Sequence, residues 1–305
     1  MYNEERKLQY LKESVDRYES IEYTVTTYFK ATENMETILD KDISQFTLNE
    51  IISLYKSFCT PSEWYIRTIN SQLSQYTTWC QKQNILTDNQ NHFAEIDTNL
   101  IYQCLNTTLI EMQYITREQL YNIVNFGQIN NISDCFLLLS CFEGICGKEY
   151  TDILNIRPKD IKGNMVTLHS GKTLEVDSKF VSVALQSAEQ YTFYFGLLGD
   201  KERQFDLTDD RCFKRYRRDI TAENEVFVVI KRFNKLKQLF NSPALSSKAL
   251  MESGRIDFIK KLMKKHECSL NECLKNKDIY KIIADRYGRL QSFSSYILKF
   301  GKYYE

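Results

Sequence analysis

Apolar residues recur along most of this chain at steps of three and four, the spacing of one face of an α-helix. Leu8, Leu11, Val15 and Tyr18 carry that spacing through a first helical stretch, residues 4–45. Thr47 followed by Glu50 is a helix-start signature ahead of IISLYKSF, because hydroxyl and carboxylate can satisfy each other's backbone N–H groups. Cys59-Thr60-Pro61-Ser62 breaks that helix, and Ser62 can cap the next. There Tyr65, Ile69, Leu73, Tyr76 and Cys80 form one stripe, and Asn84 closes the bundle.

A second domain begins near Tyr114, where Thr116 and Gln119 repeat the capping signature. ISDCFLLLSCF is apolar on nearly all sides and is predicted to be central. Past Gly144, Gly147 and DILNIRPKDI the period drops to two. MVTLHS and TLEVDS flank Gly171-Lys172, predicting a β-hairpin with Lys172 at its tip. VSVALQSAEQYTFYFGLL is predicted to return to helix, residues 199–225 form a charged excursion, and helices are predicted at 225–240, 248–265 and 277–287. The expected fold is mainly α: a helical domain at 1–105, a linker at 106–113, and at 114–305 a helical domain holding a small β-hairpin.

Charge changes this picture. The net charge is zero, yet residues 1–113 hold 9 Lys/Arg against 16 Asp/Glu, while residues 231–305 hold 17 against 7. An excess of that kind can neutralise phosphates, so the C-terminal third is the expected polyanion-binding surface. Arg211, Lys214, Arg215, Arg217 and Arg218, interleaved with Phe213 and Tyr216, read as a phosphate-gripping loop. Arg67 on the helix at 62–82, and Lys231, Arg232, Lys248, Arg255 and Arg289 further on, complete the candidate contacts. The helices at 62–82 and 248–265 are the candidate base readers.

Other chemistry finds little support. The 9 cysteines are odd in number and form no CxxC pair, and the 3 histidines are far apart, so small core thiols in a reducing compartment are expected and no metal or cofactor. No apolar run nears the roughly 20 residues needed to span a bilayer, and the charged start is unlike a signal peptide, which predicts a cytoplasmic protein.

The layout of helical bundle, linker and helical domain with one inserted hairpin resembles the tyrosine recombinases, the phage integrase family. Asp152, Ile153, Leu154, Ile156, Asp160 and Ile161 fall on that family's glutamate-leucine-leucine-x-leucine-x-x-x-aspartate-isoleucine segment. Lys172 matches its catalytic hairpin lysine, and TLNEIISLY and WYIRTINSQLSQYTTWC are similar to its core-binding domain, a SAM-like bundle. The resemblance implies DNA cleavage by a tyrosine nucleophile, with two arginines fixing the nonbridging phosphate oxygens.

Those arginines are missing. The first should follow the Gly144 turn, where Cys146 stands, followed by three extra residues, Gly147, Lys148 and Glu149; counting back from Asp152 gives Glu149 instead. The second belongs to a histidine-x-leucine-arginine-x-serine motif, matched best by Lys248-Ala249-Leu250-Met251-Glu252-Ser253, with Lys248 for the histidine and Met251 for the arginine. Tyr287-Gly288-Arg289 is similar to the family's leucine-glycine-histidine turn, Leu298 falls at the nucleophile position, and Tyr296 lies two residues early. The expectation is a catalytically degenerate scaffold, most similar to the integrase-like master repressors of lysogeny of SPβ-type Bacillus phages. It implies a sequence-specific repressor whose partners are operator DNA and a second copy or another phage regulator. The alternatives are an atypical recombinase using Lys148, Lys172, Lys248 and Tyr296, and an accessory protein to another regulator.

Overall fold

The structure, a computed structural model, describes residues 1–14, 19–86, 89–125, 127, 129–195, 201–216 and 219–304. They form two compact units, residues 1–110 and 111–305. Val15 and Tyr18 of the first predicted stripe lie outside the described residues.

The first unit is built from α1 (Glu4–Ser14), α2 (Glu19–Leu39), α3 (Leu48–Ser57), α4 (Glu63–Lys82) and α5 (Thr98–Cys104). Along α4 the predicted stripe turns inward: Ile69, Leu73, Tyr76 and Cys80 are buried with Ile66, while Tyr65 sits at its half-buried edge. Tyr10 and Phe29 pack edge-on against the Tyr76 ring at 5.2 and 4.9 Å, joining α1 and α2 to α4. The Thr47 signature forms as read, the Glu50 carboxylate accepting from Thr47 N–H at 2.7 Å. Inside the bundle Lys7 donates to both oxygens of Glu36, at 2.7 and 2.6 Å, with neither side chain exposed. Burial pushes the Glu36 carboxyl up, and Lys7 opposes that.

The stretch read as a linker holds a helical turn, α6 (Thr107–Glu111). In the second unit α7 (Arg117–Asn125) starts on the reciprocal Thr116–Gln119 cap, with Thr116 N–H on Gln119 Oε1 at 2.9 Å and Gln119 N–H on Thr116 Oγ1 at 3.2 Å. Then comes α8 (Ile132–Phe142), in which every residue from Ser133 to Phe142 is buried. An all-round apolar helix must be covered on all sides, and α10 (Ser178–Glu189) and α12 (Ser247–His266) pack against it. Gly254 permits the second contact: a Cβ there would lie 1.8 Å from the Phe142 carbonyl oxygen. That approach sets the loop after α8 against the start of α12.

After α9 (Thr151–Asn155) the predicted hairpin appears as part of a three-stranded antiparallel sheet, β1 (Ile161–Lys162), β2 (Met165–Thr167) and β3 (Thr173–Glu175), in the register Val166↔Leu174. A second hairpin, β4 (Thr192–Phe195) with β5 (Lys201–Gln204), replaces the end of the predicted long helix. TFYF is β-branched and aromatic, suiting a pleated surface better than a helix. The remaining helices are α11 (Ala222–Leu239), α13 (Leu270–Lys275), α14 (Lys277–Tyr287) and α15 (Phe293–Phe300).

Candidate nucleic-acid interface

The chain leaves α8 through Glu143-Gly144-Ile145-Cys146 and then folds back on itself. Gly147, Glu149 and Tyr150 take left-handed conformations, at φ 72°, 54° and 62°. The backbone N–H of Asp152 returns to the Cys146 carbonyl at 3.2 Å, so the three extra residues form a loop that leaves Asp152 next to Cys146. The Tyr150 hydroxyl meets Ser247 Oγ at 3.1 Å, tying this loop to the first turn of α12.

Between loop and helix lies a cleft of about 410 Å³. Cys146 and Glu149, the two residues that rival alignments put at the first arginine position, both line it, as do Lys248, Met251 and Glu252. Its charged lining is therefore one lysine against two carboxylates, and the residues that the sequence reading set against the family's arginines are a thiol, a carboxylate and a thioether. A hydrogen bond from Cys141 holds the Cys146 thiol below its ordinary value, while burial pushes the Cys141 thiol up. A planar, bidentate grip on a phosphoryl group is absent from this lining. Lys148 is exposed and outside the lining, and the Lys172 ammonium points to the Asp285 carbonyl at 3.4 Å.

Tyr296, the tyrosine nearest the nucleophile position, is turned inward. It is buried among Ile259, Leu262 and Ile283, and its hydroxyl meets that of Tyr304 at 2.6 Å. Burial raises its pKa above the ordinary phenol value, making the phenolate harder still to form.

Behind the loop two arginines close on one carboxylate. Arg286 donates to Glu143 Oε2 at 2.6 Å and, through Nε, to the Glu143 carbonyl at 2.8 Å. Arg117 donates to the other Glu143 oxygen and reaches Asp257 at 2.8 Å. Burial opposes the Arg117 cation, and Glu143 and Asp257 outweigh it, so its pKa is raised. Arg286 also donates to the Glu175 carbonyl at 2.8 Å, so α7, β3, α12 and α14 converge on the Glu143 turn. This clamp was not legible in the sequence: its partners lie 26 and 143 residues apart.

The family model described as MrpR, C-terminal catalytic domain, matches residues 114–300, and that described as MrpR, N-terminal core-binding domain, matches residues 1–82. The chain belongs to the MrpR family. A curated relative, the SPbeta prophage-derived uncharacterized protein YopR of Bacillus subtilis (strain 168), is 24% identical over 270 residues, covering 84% of this chain and 81% of its own. Two solved structures are similar. One is a lambda integrase(75-356) dimer bound to a COC' core site, at TM-score 0.45 and 11% identity over 100% of this chain and 95% of that one. The other is a lambda integrase dimer on a COC' core site, at TM-score 0.44 and 10% identity over 99% and 75%. The MrpR scaffold is of the tyrosine-recombinase type, as the residue pattern implied.

Several cations expected on the surface of this MrpR-family chain are internal instead. Arg211 is 5% exposed, with its guanidinium between Asp209 and Glu225 at 2.7 Å each and Nη1 on the Leu154 carbonyl. Arg215 shares the Glu225 carboxylate at 2.6 Å. Lys214 is buried with its ammonium near the Gln190 carbonyl and the Tyr191 ring, and Arg255 is held by Glu252 and the Tyr287 carbonyl. Arg232 is buried on Ser133 and Asp134. Residues 209–215 of the excursion thus form an internal ion-pair knot with Glu225, while Lys201 and Arg203 of β5 are exposed. The knot's arginines alternate with carboxylates close in sequence, Asp209 and Glu225, which an outward-facing reading overlooks. Arg217 and Arg218 lie outside the described residues.

Lys231, Lys248, Lys172 and Arg289 are exposed. Arg67 is partly exposed but engaged by Glu63 at 2.6 Å and Thr98 at 2.9 Å. Lys260, Lys264 and Lys265 on α12, all exposed, and Lys235 on α11, half-buried, are cations that the candidate set omitted. Helical spacing places the three α12 lysines within five residues, a signal available from the sequence.

Proposed function

We propose that this MrpR-family chain binds double-stranded DNA sequence-specifically, does not cleave it, and represses prophage lytic genes from the bacterial cytoplasm. The cleft carries the reading. The positions of two phosphate-gripping arginines meet at one place, and there Cys146 and Met251 face Glu149 and Glu252. A phosphodiester entering it would meet two carboxylates and a single lysine, and the charge growing on phosphorus in a displacement would find no fixed bidentate donor. The Tyr296–Tyr304 pair adds to this, since a buried phenol whose hydroxyl is turned onto another core tyrosine is poorly placed to attack a phosphodiester. Prophage biology enters through YopR, whose name places it in a prophage. The basic excess of residues 231–305 supports phosphate contact, Lys231, Lys248 and Arg289 being its exposed members among the candidates, and Lys172 is exposed on the first hairpin.

The test begins by selecting bound fragments from phage and host DNA. Gel shifts on the recovered fragment should show affinity falling steeply with salt, as counterion release demands. A nicked suicide version of that fragment should give no covalent adduct. An adduct lost on Tyr296→Phe would overturn the reading in favour of an atypical recombinase, and no shift on any fragment would favour an accessory protein.

A further inference from the structure

The second hairpin and α11 enclose a pocket of about 280 Å³, separate from the cleft in its lining residues. Its floor and wall are aromatic. Phe193 and Phe195 are two apart on β4 and so share a face, and both the Phe195 and Tyr216 ring planes lie within 14° of Phe193's. Arg203 is the cross-strand partner of Phe193, and its guanidinium sits 5.6 Å from the Phe195 ring and 5.8 Å from the Tyr216 ring. From α11, Lys231 and Lys235 line the opposite side, and no carboxylate among the described residues pairs with either.

Arg232 is the unusual member. It is 5% exposed, stacked 4.3 Å from Phe193 and 4.6 Å from Phe213, and lines the pocket. Its Nη1 donates to Ser133 Oγ at 2.9 Å and lies 3.2 Å from Asp134 Oδ1, an ion pair in which that oxygen makes no hydrogen bond. Its Nε and Nη2 meet no acceptor. Buried donors are rarely left unmade, and on a cation the omission is costlier. With Asp134 balancing Arg232, three further cations surround an apolar, flat-walled space. That is a site for a planar ring carrying an acceptor and an anion, and its volume lies near the lower end of the roughly 300–1,000 Å³ of small-ligand pockets.

We propose that this pocket binds a nucleoside monophosphate. The base lies against Phe193, Phe195 and Tyr216, where any base can stack on its π-face. A ring carbonyl or nitrogen accepts the unmade Arg232 N–H, and the phosphate meets Lys231, Lys235 and Arg203. The nucleotide is either free or a single unpaired nucleotide of a strand.

The full chain is titrated calorimetrically with AMP, GMP, CMP and UMP in turn, with adenosine and inorganic phosphate as controls. At least one monophosphate should bind with Kd below about 1 mM, and the controls about tenfold more weakly or worse. The double variant K231Q/K235Q, at surface positions free of ion pairs, should lose about tenfold in affinity without a change in Tm; Phe193→Ala should lose as much. Displacement of the monophosphate by a 5′-phosphorylated tetradeoxynucleotide assigns the site to a strand, and failure to displace assigns it to the free nucleotide. The proposal is overturned if none of the four monophosphates binds at millimolar concentration, or if binding is unchanged in K231Q/K235Q. Duplex binding is measured separately by gel shift on the unsubstituted chain and on Phe193→Ala, which leaves Lys231 in place, so failure of the pocket and failure of the DNA-binding reading are told apart.

Discussion

At the scale of single residues the second unit spends its arginines internally. Arg117 and Arg286 hold Glu143, and Arg211 and Arg215 hold Glu225. Removing the shared anion leaves two largely buried guanidinium groups facing each other. Glu143→Ala should therefore destabilise the second unit by about 3–5 kcal/mol, read as a lowered urea midpoint; a change within 0.5 kcal/mol would mean the clamp is idle. Tyr296→Phe removes one buried hydroxyl contact, with Tyr304 left to find another partner. It should cost about 0.5–1.5 kcal/mol and leave duplex affinity unchanged. Charge density could not reveal the first clamp, because it signals how many cations a segment holds but not whether a carboxylate 26 or 143 residues away will reach them. The carboxylates of the second lie close in the chain and were overlooked.

At the scale of elements, local signals served well and long-range ones failed. The caps at Thr47 and Thr116, the α4 stripe, the central α8 and the Lys172 hairpin all depend on neighbours within a few residues, and all were readable. Strand β4 was misread as helix, because VSVALQSAEQ carries a helical period into a strand-forming TFYF with no proline or glycine between them, and its partner β5 lay unread within the charged excursion. Gly254 gave no local hint at all: its meaning lies in the Phe142 carbonyl of another helix. Alanine there improves helix propensity by about 1 kcal/mol but must push α12 away from α8. Gly254→Ala should lower stability by about 1–3 kcal/mol net and, by widening the cleft, speed alkylation of Cys146. Unchanged Tm and unchanged alkylation would show that the contact is slack.

At the scale of the whole chain, charge pairing predicts how stability responds to acid. Burial pushes the carboxyls of Asp209 and Glu225 up, but hydrogen bonds from Arg211 and Arg215 outweigh it and leave both below their ordinary values. Burial likewise acts on Asp177, and the Lys179 N–H and Tyr121 outweigh it. Groups of this sign stabilise the fold fully above their unfolded values, about 3.9 for Asp and 4.3 for Glu, and cease to as pH falls through the lower folded ones. The Tm of the second unit should thus hold from pH 7 to about 5 and drop below about pH 4. In Arg211→Met, which removes the outweighing partner, that acid-induced drop should be shallower; an identical profile would show the knot to be uncoupled from folding.

The loop of Gly147, Lys148 and Glu149 has a consequence for descent. Restoring an arginine at position 146 alone would set it beside Glu149, with Tyr150 still pinned to Ser247 and the tyrosine of α15 still facing inward. On the proposed non-cleaving reading, a lineage carrying this loop reaches cleavage only through a deletion, at least two substitutions and a turned helix, so its surface can drift toward new sequences and new signals with little pull toward cutting.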